Sequence, residues 1–335
     1  MPERPILVAT RGSALALAQA NLIAAQCRAA FPKLRFELKI IKTTGDKLQK
    51  TSLAKQDTDL PKCLFTKELE LALIKGQADL AVHSLKDLPT DLPTGLKLAA
   101  TPERADVRDV LIYRDAEYSV NPDNHLRDEW TPGQSGLKPH TSLRDFPRKA
   151  AIATSSTRRK AQLLAVRPDL NVVEIRGNVS TRMQKVAGRA ELDATVLALA
   201  GITRLNFTLT PDGKIHGDAV PGGLLATVLD LDIMLPCVGQ AAIGIEIRAD
   251  DERIAKLCER LNHYDTYQCV TAERAFLHGM GGGCLSPVAA YAEVIGEQLR
   301  LRAVSYRDDS VRRGEARRPI KEAAELGEQI AAELR

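Results

Sequence analysis

The sequence predicts an α/β protein of two successive lobes followed by a small α+β domain. Three observations carry that expectation. Short apolar runs alternate with helix-patterned segments, which implies βαβ units and a largely parallel sheet. A polar stretch at 117–149, with Pro122, Pro132, Gly133, Gly136, Pro139 and Pro147, interrupts the alternation, which then resumes. From Thr271 onward the order changes to helix, glycine-rich turn, two strand-like runs and a last helix.

The elements follow in order. Residues 6–9 form a short apolar strand, and Ser13 caps a helix over 14–30 rich in Ala and Leu. A strand spans 34–41. Thr66 is placed to cap a helix over 67–75, with Glu68 in its first turn and Gly76 just past its end. Strands at 80–83 and 96–100 complete the first unit. The stretch 117–149 reads as a surface insertion. Strands are then expected at 150–153, 171–175 and 195–199, with helices at 158–166 and 179–187 between them. Residues 208–217 look like a loop, and apolar segments return at 238–247. Strands at 288–294 and 298–304 precede the final helix from Ile320.

At 335 residues, the chain is long enough for two or three domains. Apolar residues at 44% and charged residues at 27% exclude a disordered chain or a fibre. The net charge is only +4 and aromatics are 4%, so neither a polyanion footprint nor a base-stacking surface is evident. Nucleic acid is therefore not an expected partner. The apolar run at the N-terminus is too short for a signal peptide, and no stretch approaches the ~20 apolar residues that span a bilayer. No membrane partner is expected. The six cysteines form no Cys-x-x-Cys pair and read as free thiols of a reducing compartment, which predicts a cytoplasmic protein.

Three strand-to-helix junctions share one composition: Thr10-Arg11-Gly12-Ser13, Thr154-Ser155-Ser156-Thr157-Arg158-Arg159 and Arg176-Gly177-Asn178-Val179-Ser180-Thr181-Arg182. Helix N-termini favour anions, so an arginine there needs a reason beyond the helix. Its planar fork matches carboxylate or phosphate. Taken singly, each junction could be a capped helix beside a solvated arginine. Together they fall at the carboxyl ends of strands, where open α/β sheets bind ligands. No glycine-rich nucleotide fingerprint follows a strand, so carboxylates are the better-fitting anions.

His83-Ser84-Leu85-Lys86-Asp87-Leu88-Pro89 ends another strand and sets a cation beside a carboxylate. Asp87 near several cations stays ionised, able to offset a cationic intermediate or shuttle a proton. A surface Lys-Asp pair is the plain alternative, and His83 alone reads as structural. In Met280-Gly281-Gly282-Gly283-Cys284 the glycines allow close approach and put a thiol on an adaptable turn. Cys27, Cys237, Cys258 and Cys269 read as inert core thiols. With no His or Asn partner evident for Cys284, ligand attachment fits better than acyl transfer.

These residues bring a resemblance into view. The chain closely resembles the hydroxymethylbilane synthase, or porphobilinogen deaminase, family over nearly its whole length. The likeness runs through Thr10-Arg11-Gly12-Ser13, Thr43-Thr44-Gly45-Asp46, Leu64-Phe65-Thr66-Lys67-Glu68, the segment 78–89, and residues 154–159. It continues through Ile175-Arg176-Gly177-Asn178, Leu197-Ala198-Leu199-Ala200-Gly201, Val238-Gly239-Gln240, Thr271-Ala272-Glu273-Arg274 and Gly282-Gly283-Cys284. The resemblance implies an enzyme of tetrapyrrole and heme biosynthesis. It would link four porphobilinogen molecules head to tail with loss of ammonia and then release a linear tetrapyrrole. It also implies a dipyrromethane primer held through a thioether on Cys284, with Asp87 as the catalytic carboxylate.

The basic set implied for substrate and primer carboxylates is Arg11, Lys62, Lys86, Arg158, Arg159, Arg176, Arg182 and Arg204. Ser13, Ser84, Ser155 and Ser156 would add hydrogen bonds, and Asp46, Phe65 and Gln240 would lie nearby. The implied fold has two lobes like those of periplasmic binding proteins, each with a doubly wound mixed sheet. Residues 1–102 with 239–259 would form the first lobe, 103–238 the second, and 260–335 a small α+β domain carrying the cysteine loop. A monomer is implied. Three features depart from the family: no glycine in 55–63, where a glycine-rich lid is usual; Ala241 where Gly follows Gln240; and the long insertion. A non-catalytic two-lobed carboxylate-binding protein and a catalytically lapsed paralogue are the rival readings.

Overall fold

The computed structural model describes residues 4–45, 65–117, 136–189, 191–283, 286–308 and 310–335. Asp46, Lys62, the lid at 55–63 and Cys284 therefore lie outside the described residues.

The first elements are β1 (Ile6–Arg11), α1 (Ala14–Ala30), β2 (Phe36–Ile41), α2 (Lys67–Ile74), β3 (Leu80–Ser84) and β4 (Leu96–Ala100). The second group holds β5 (Asp109–Arg114), β6 (Ala151–Ala153), α3 (Thr157–Val166), β7 (Asn171–Val173), α4 (Val179–Gly188), β8 (Ala194–Ala198) and α5 (Leu199–Thr203). It ends with the two-residue strands β9 (Thr208–Leu209) and β10 (Ile215–His216), and with β11 (Leu224–Val228). Then come β12 (Ile243–Arg248) and α6 (Glu252–Glu259). The last group is α7 (Tyr264–Gly279), β13 (Val288–Ile295), β14 (Gln298–Ser305), β15 (Arg312–Pro319) and α8 (Ala323–Leu334).

Two five-stranded sheets share one topology. The first runs β2-β1-β3-β12-β4 and the second β7-β6-β8-β5-β11. In each, the first three strands are mutually parallel, the fourth runs antiparallel to both its neighbours, and the fifth again runs with the first three. The antiparallel strands β12 and β5 each follow a segment that crosses between the sheets, so the sheets are mixed rather than largely parallel. The crossing segments are joined: the Arg104 guanidinium donates to the Gln240 carbonyl at 2.8 Å, and the Ala105 amide to the Ala241 carbonyl at 3.4 Å.

Burial explains why these residues make strands. In β1, Ile6, Val8, Ala9 and Thr10 are buried, so both faces are covered and the run reads as continuously apolar. α1 begins where the Ser13 hydroxyl accepts from the Ala16 amide, and it packs Ala20, Ile23, Ala24 and Cys27 inward. The three-stranded sheet of β13, β14 and β15 lies against α7 and α8 around Phe276, Leu299, Leu301, Leu326 and Ile330.

Several expectations need correction. Thr66 makes no side-chain cap to α2 and sits in helical backbone geometry. The stretch 208–217 holds the β9–β10 pair. The described half of the 117–149 insertion is not merely surface: Leu143 and Phe146 are buried, and Phe146 meets Tyr113 edge-on at 5.6 Å between ring centroids. β5, β11, β15 and α6 were not foreseen, and α7 starts at Tyr264 rather than Thr271. β5 follows β4 with no helix between, so the strand–helix alternation gives no cue for it. β15 alternates exposed and half-buried positions and carries four arginines, a charged edge with no apolar signature.

Candidate active site

The turns after the carboxyl ends of β3 and β6 line one cavity of about 250 Å³. Lys86, Asp87, Ser155, Ser156, Arg158, Arg159, Arg182 and Gln240 line it, together with Gly283, the neighbour of Cys284. Each lobe contributes one kind of turn. Beyond β3, Leu85–Asp87 forms a single 3-10 turn that leaves Asp87 half-buried at the cavity wall. Gly239 backs this turn in left-handed geometry, φ +71°, and a Cβ there would meet the backbone of Leu85 and Lys86 at 3.2 Å. The Leu85 amide also donates to the Ala242 carbonyl at 3.0 Å, so the crossing segment fixes the Asp87 turn.

Beyond β6, the Ser156 hydroxyl caps α3 by accepting from the Arg159 amide. This sends Arg158 and Arg159 back under the sheet. Their guanidiniums share one carboxylate: Arg158 donates to Asp109 Oδ2 at 2.8 Å and Arg159 to Asp109 Oδ1 at 2.7 Å. Gln240 adds a bond to Asp109 Oδ1 at 2.9 Å. Burial alone would raise the Asp109 carboxyl, but the two arginines overcome it and hold it well below the usual carboxylate range. One carboxylate leaves two guanidiniums with a net positive charge. The Nε–H groups of Arg158 and Arg159 are buried without a partner among the described residues. A buried donor of that kind costs free energy until an acceptor arrives.

Arg182 and Arg204 carry the same message more strongly. Arg182 donates to the Gly177 carbonyl at 2.8 Å and Arg204 to the Ala241 carbonyl at 2.6 Å. Neither meets a carboxylate among the described residues. Burial pushes Arg204 down to about 10, and burial with the charge of Arg159 pushes Arg182 down to about 10. Both remain cations at neutral pH, in surroundings that favour an anion. With Lys86 on the opposite wall, the donor set fits a ligand bearing several carboxylates, as a dipyrromethane with acetate and propionate arms would be.

The chain was compared with known proteins. Residues 6–256 match the family model described as "Porphobilinogen deaminase, dipyromethane cofactor binding domain", and 267–335 match "Porphobilinogen deaminase, C-terminal domain". The chain belongs to the porphobilinogen deaminase family. It is similar to the porphobilinogen deaminase of Syntrophomonas wolfei, 41% identical over 99% of this chain and 95% of that one. It is also similar to the porphobilinogen deaminase of Thermus thermophilus, 39% identical over 99% of this chain and 95% of that one. Members of this family are transferases of tetrapyrrole biosynthesis.

Other residues expected at a porphobilinogen deaminase site sit less directly on the cavity. Arg11 ends β1 and stacks over Phe65 at 4.1 Å from the ring centroid. Ser13 is spent on capping α1. Ser84 donates to Gln19 Oε1 at 2.9 Å. Ser155, which does line the cavity, holds the end of β7 by donating to the Ile175 carbonyl at 2.7 Å and accepting from its amide at 3.1 Å. Arg176 is exposed, with Glu174 3.9 Å away. The hydroxyls thus shape the junctions, and the guanidiniums carry the charge.

Two residues escaped sequence reasoning. Asp109 lies in none of the motifs singled out from the sequence, although it heads the apolar run Val110-Leu111-Ile112-Tyr113 and is fully buried. Glu273, on α7, was seen only as part of the family pattern. Its carboxylate accepts from Arg104 at 2.7 and 3.0 Å, from the Gly239 amide at 2.8 Å and from the Ala292 amide at 2.9 Å. It ties the C-terminal domain to both crossing segments.

Proposed function

We propose that this chain condenses four porphobilinogen molecules stepwise and head to tail, with loss of ammonia, and hydrolyses the product free as a linear tetrapyrrole. The observation that carries this reading is one cavity. It joins Asp87, four cationic side chains from two lobes, and the glycine turn that leads into Cys284. A substrate with two carboxylates needs distributed cations, and departure of ammonia leaves a delocalised cation that needs a fixed anion.

In this assignment Arg158, Arg159, Arg182 and Lys86 seat carboxylates. The unpartnered Nε–H groups of the first two are available as donors. Arg11, Lys62, Arg176 and Arg204 extend the basic track along which the growing chain lies. Asp87 faces the reacting pyrrole: its carboxylate offsets the developing positive charge and accepts the proton released when the new carbon–carbon bond restores aromaticity. Dipyrromethane, held on Cys284 through a thioether, supplies the nucleophilic pyrrole on which the chain is built. Cys284 is thus an anchor, while Asp87 acts in every turnover. We place the protein in the cytoplasm as a monomer. The free thiols of Cys27, Cys237, Cys258 and Cys269 suit a reducing compartment, and no helix among the described residues is long and apolar enough to cross a membrane.

Intact mass spectrometry tests the anchor. The purified chain is expected to exceed its polypeptide mass by one dipyrrole, and Cys284→Ser to lose that excess. A bare polypeptide mass in the parent would leave the carboxylate-binding or lapsed-enzyme reading in its place. Asp87→Asn is expected to keep its thermal midpoint and to lose porphobilinogen consumption by about 10²-fold or more, the scale of a removed electrostatic contact. Undiminished turnover in that variant would remove Asp87 from the chemistry.

A further inference from the structure

Four cysteines fall among the described residues, and three are walled off. Cys27, Cys258 and Cys269 are buried, and burial pushes their thiols up to about 11, 12 and 12. Cys237 differs. It is half-buried, sits on the segment crossing back from the second lobe to the first, and lines the cavity beside Lys86, Arg158, Arg159 and Arg182. Its thiol reaches Gln240 Oε1 at 3.5 Å. Arg158 and Cys237 belong to the lining of one cavity. The Arg158 side chain is 4% exposed, lines the same cavity, and its Nε–H has no partner among the described residues. A thiol on the cavity wall meets solutes that a buried thiol does not, and a buried spare donor can take up an oxyanion. No step assigned to Asp87 or Cys284 uses this sulfur.

We propose that Cys237 is a modification site of the cavity: a thiol that hydroperoxides oxidise to the sulfenic acid, so that the oxidised side chain excludes a carboxylate-bearing substrate. The thiolate sulfur attacks the outer oxygen of the peroxide. The S–O bond forms, the O–O bond breaks, and the departing hydroxide of hydrogen peroxide, or alkoxide of an organic hydroperoxide, takes a proton and leaves as water or an alcohol. Sulfur loses two electrons and the peroxide gains them. The new oxygen is an acceptor within a cluster of guanidiniums, where it competes with ligand carboxylates for the Nε–H donors. A small dithiol reverses the step. Its first sulfur displaces water from the sulfenic acid, and its second releases Cys237 and closes a ring disulfide. The exclusion of substrate rests on the function proposed above, whereas the oxidation itself does not.

The test treats the holoenzyme with hydrogen peroxide in the presence of dimedone, which traps sulfenic acids, and maps the tag by peptide mass. Porphobilinogen consumption is followed in parallel. Cys237 is expected to be tagged at least about ten-fold faster than Cys27, Cys258 and Cys269, because burial holds those three thiols protonated and out of reach. Saturating porphobilinogen should slow the tagging. Peroxide without dimedone should abolish turnover, and dithiothreitol should restore it. Cys237→Ala and Cys237→Ser should keep turnover through the same treatment. A tag on Cys237 no faster than on the three buried thiols overturns the proposal, as does equal peroxide loss in the parent and both variants. The tag is read on the parent chain by mass alone. A failed functional reading would instead show as an untreated enzyme that consumes no porphobilinogen.

Discussion

The two lobes use one topology to opposite electrostatic ends. β3 and β8 occupy equivalent places in their sheets, as do β1 and β6. In the first lobe, the turn after β3 delivers a half-buried carboxylate, Asp87, whose backbone is held by the crossing segment at Gly239 and Ala242. In the second lobe, the turn after β6 delivers Arg158 and Arg159, held by the wholly buried Asp109. The end of the third strand of one sheet supplies an anion, and the end of the second strand of the other supplies cations. The two aspartates teach the same lesson from inside. Asp109 is spent on neutralising arginines within the protein, whereas Asp87 reaches the cavity where a ligand cation would form.

That contrast can be broken most sharply at Asp109. Asp109→Asn would leave two buried guanidiniums without their counter-charge, an effect of about 3–5 kcal/mol on unfolding free energy, measurable by denaturant titration. The same variant probes pH. The Asp109 carboxyl is held low in the folded chain, so its contribution is present above the unfolded-state value of about 3.9 and is lost as pH falls below it. The parent should therefore lose stability more steeply than the Asn variant as pH falls from about 4. Equal acid limbs would show that the arginines do not lean on Asp109.

A smaller effect is expected from the hinge behind Asp87. Gly239→Ala forces a Cβ into left-handed backbone and against Leu85 and Lys86. It should cost about 1–2 kcal/mol from the backbone alone and lower kcat by displacing the Asp87 turn. A lowered thermal midpoint with unchanged kcat would detach the hinge from catalysis. The smallest expected change is of opposite sign, two residues away. Ala241 holds φ +68° without being glycine. Ala241→Gly relieves that conformation but adds chain entropy to the unfolded state, for a net gain of up to about 1 kcal/mol in thermal denaturation.

Much of the first lobe could be read from residues alone, because its apolar runs alternate with one helix that carries its own Ser13 cap. The second lobe was harder. β5 and β11 pair with strands far along the chain and have no local helical partner to mark them. The site divided in the same way. Asp87 and the arginine junctions were visible as charges at strand ends, where an α/β sheet binds ligands, whereas Gln240 came only with the family resemblance. The roles of Ser13, Ser84 and Ser155 were not, since a hydroxyl that caps a helix and one that waits for a ligand look identical in a sequence.

The sequence by itself determined the α/β class and pointed to an anionic ligand and to residues that could meet it. These depend on periodicity and on residue type, which are local. Only the tertiary structure decided which cations are neutralised and which are left wanting an anion. Asp109 lies 49 residues from Arg158 and 131 from Gln240, yet the three meet in one buried cluster. Cys237 likewise passed as a core thiol until the fold set it on the cavity wall. Electrostatic pairing acts over a few ångströms of space, and that separation is set by how the sheets and their crossing segments pack.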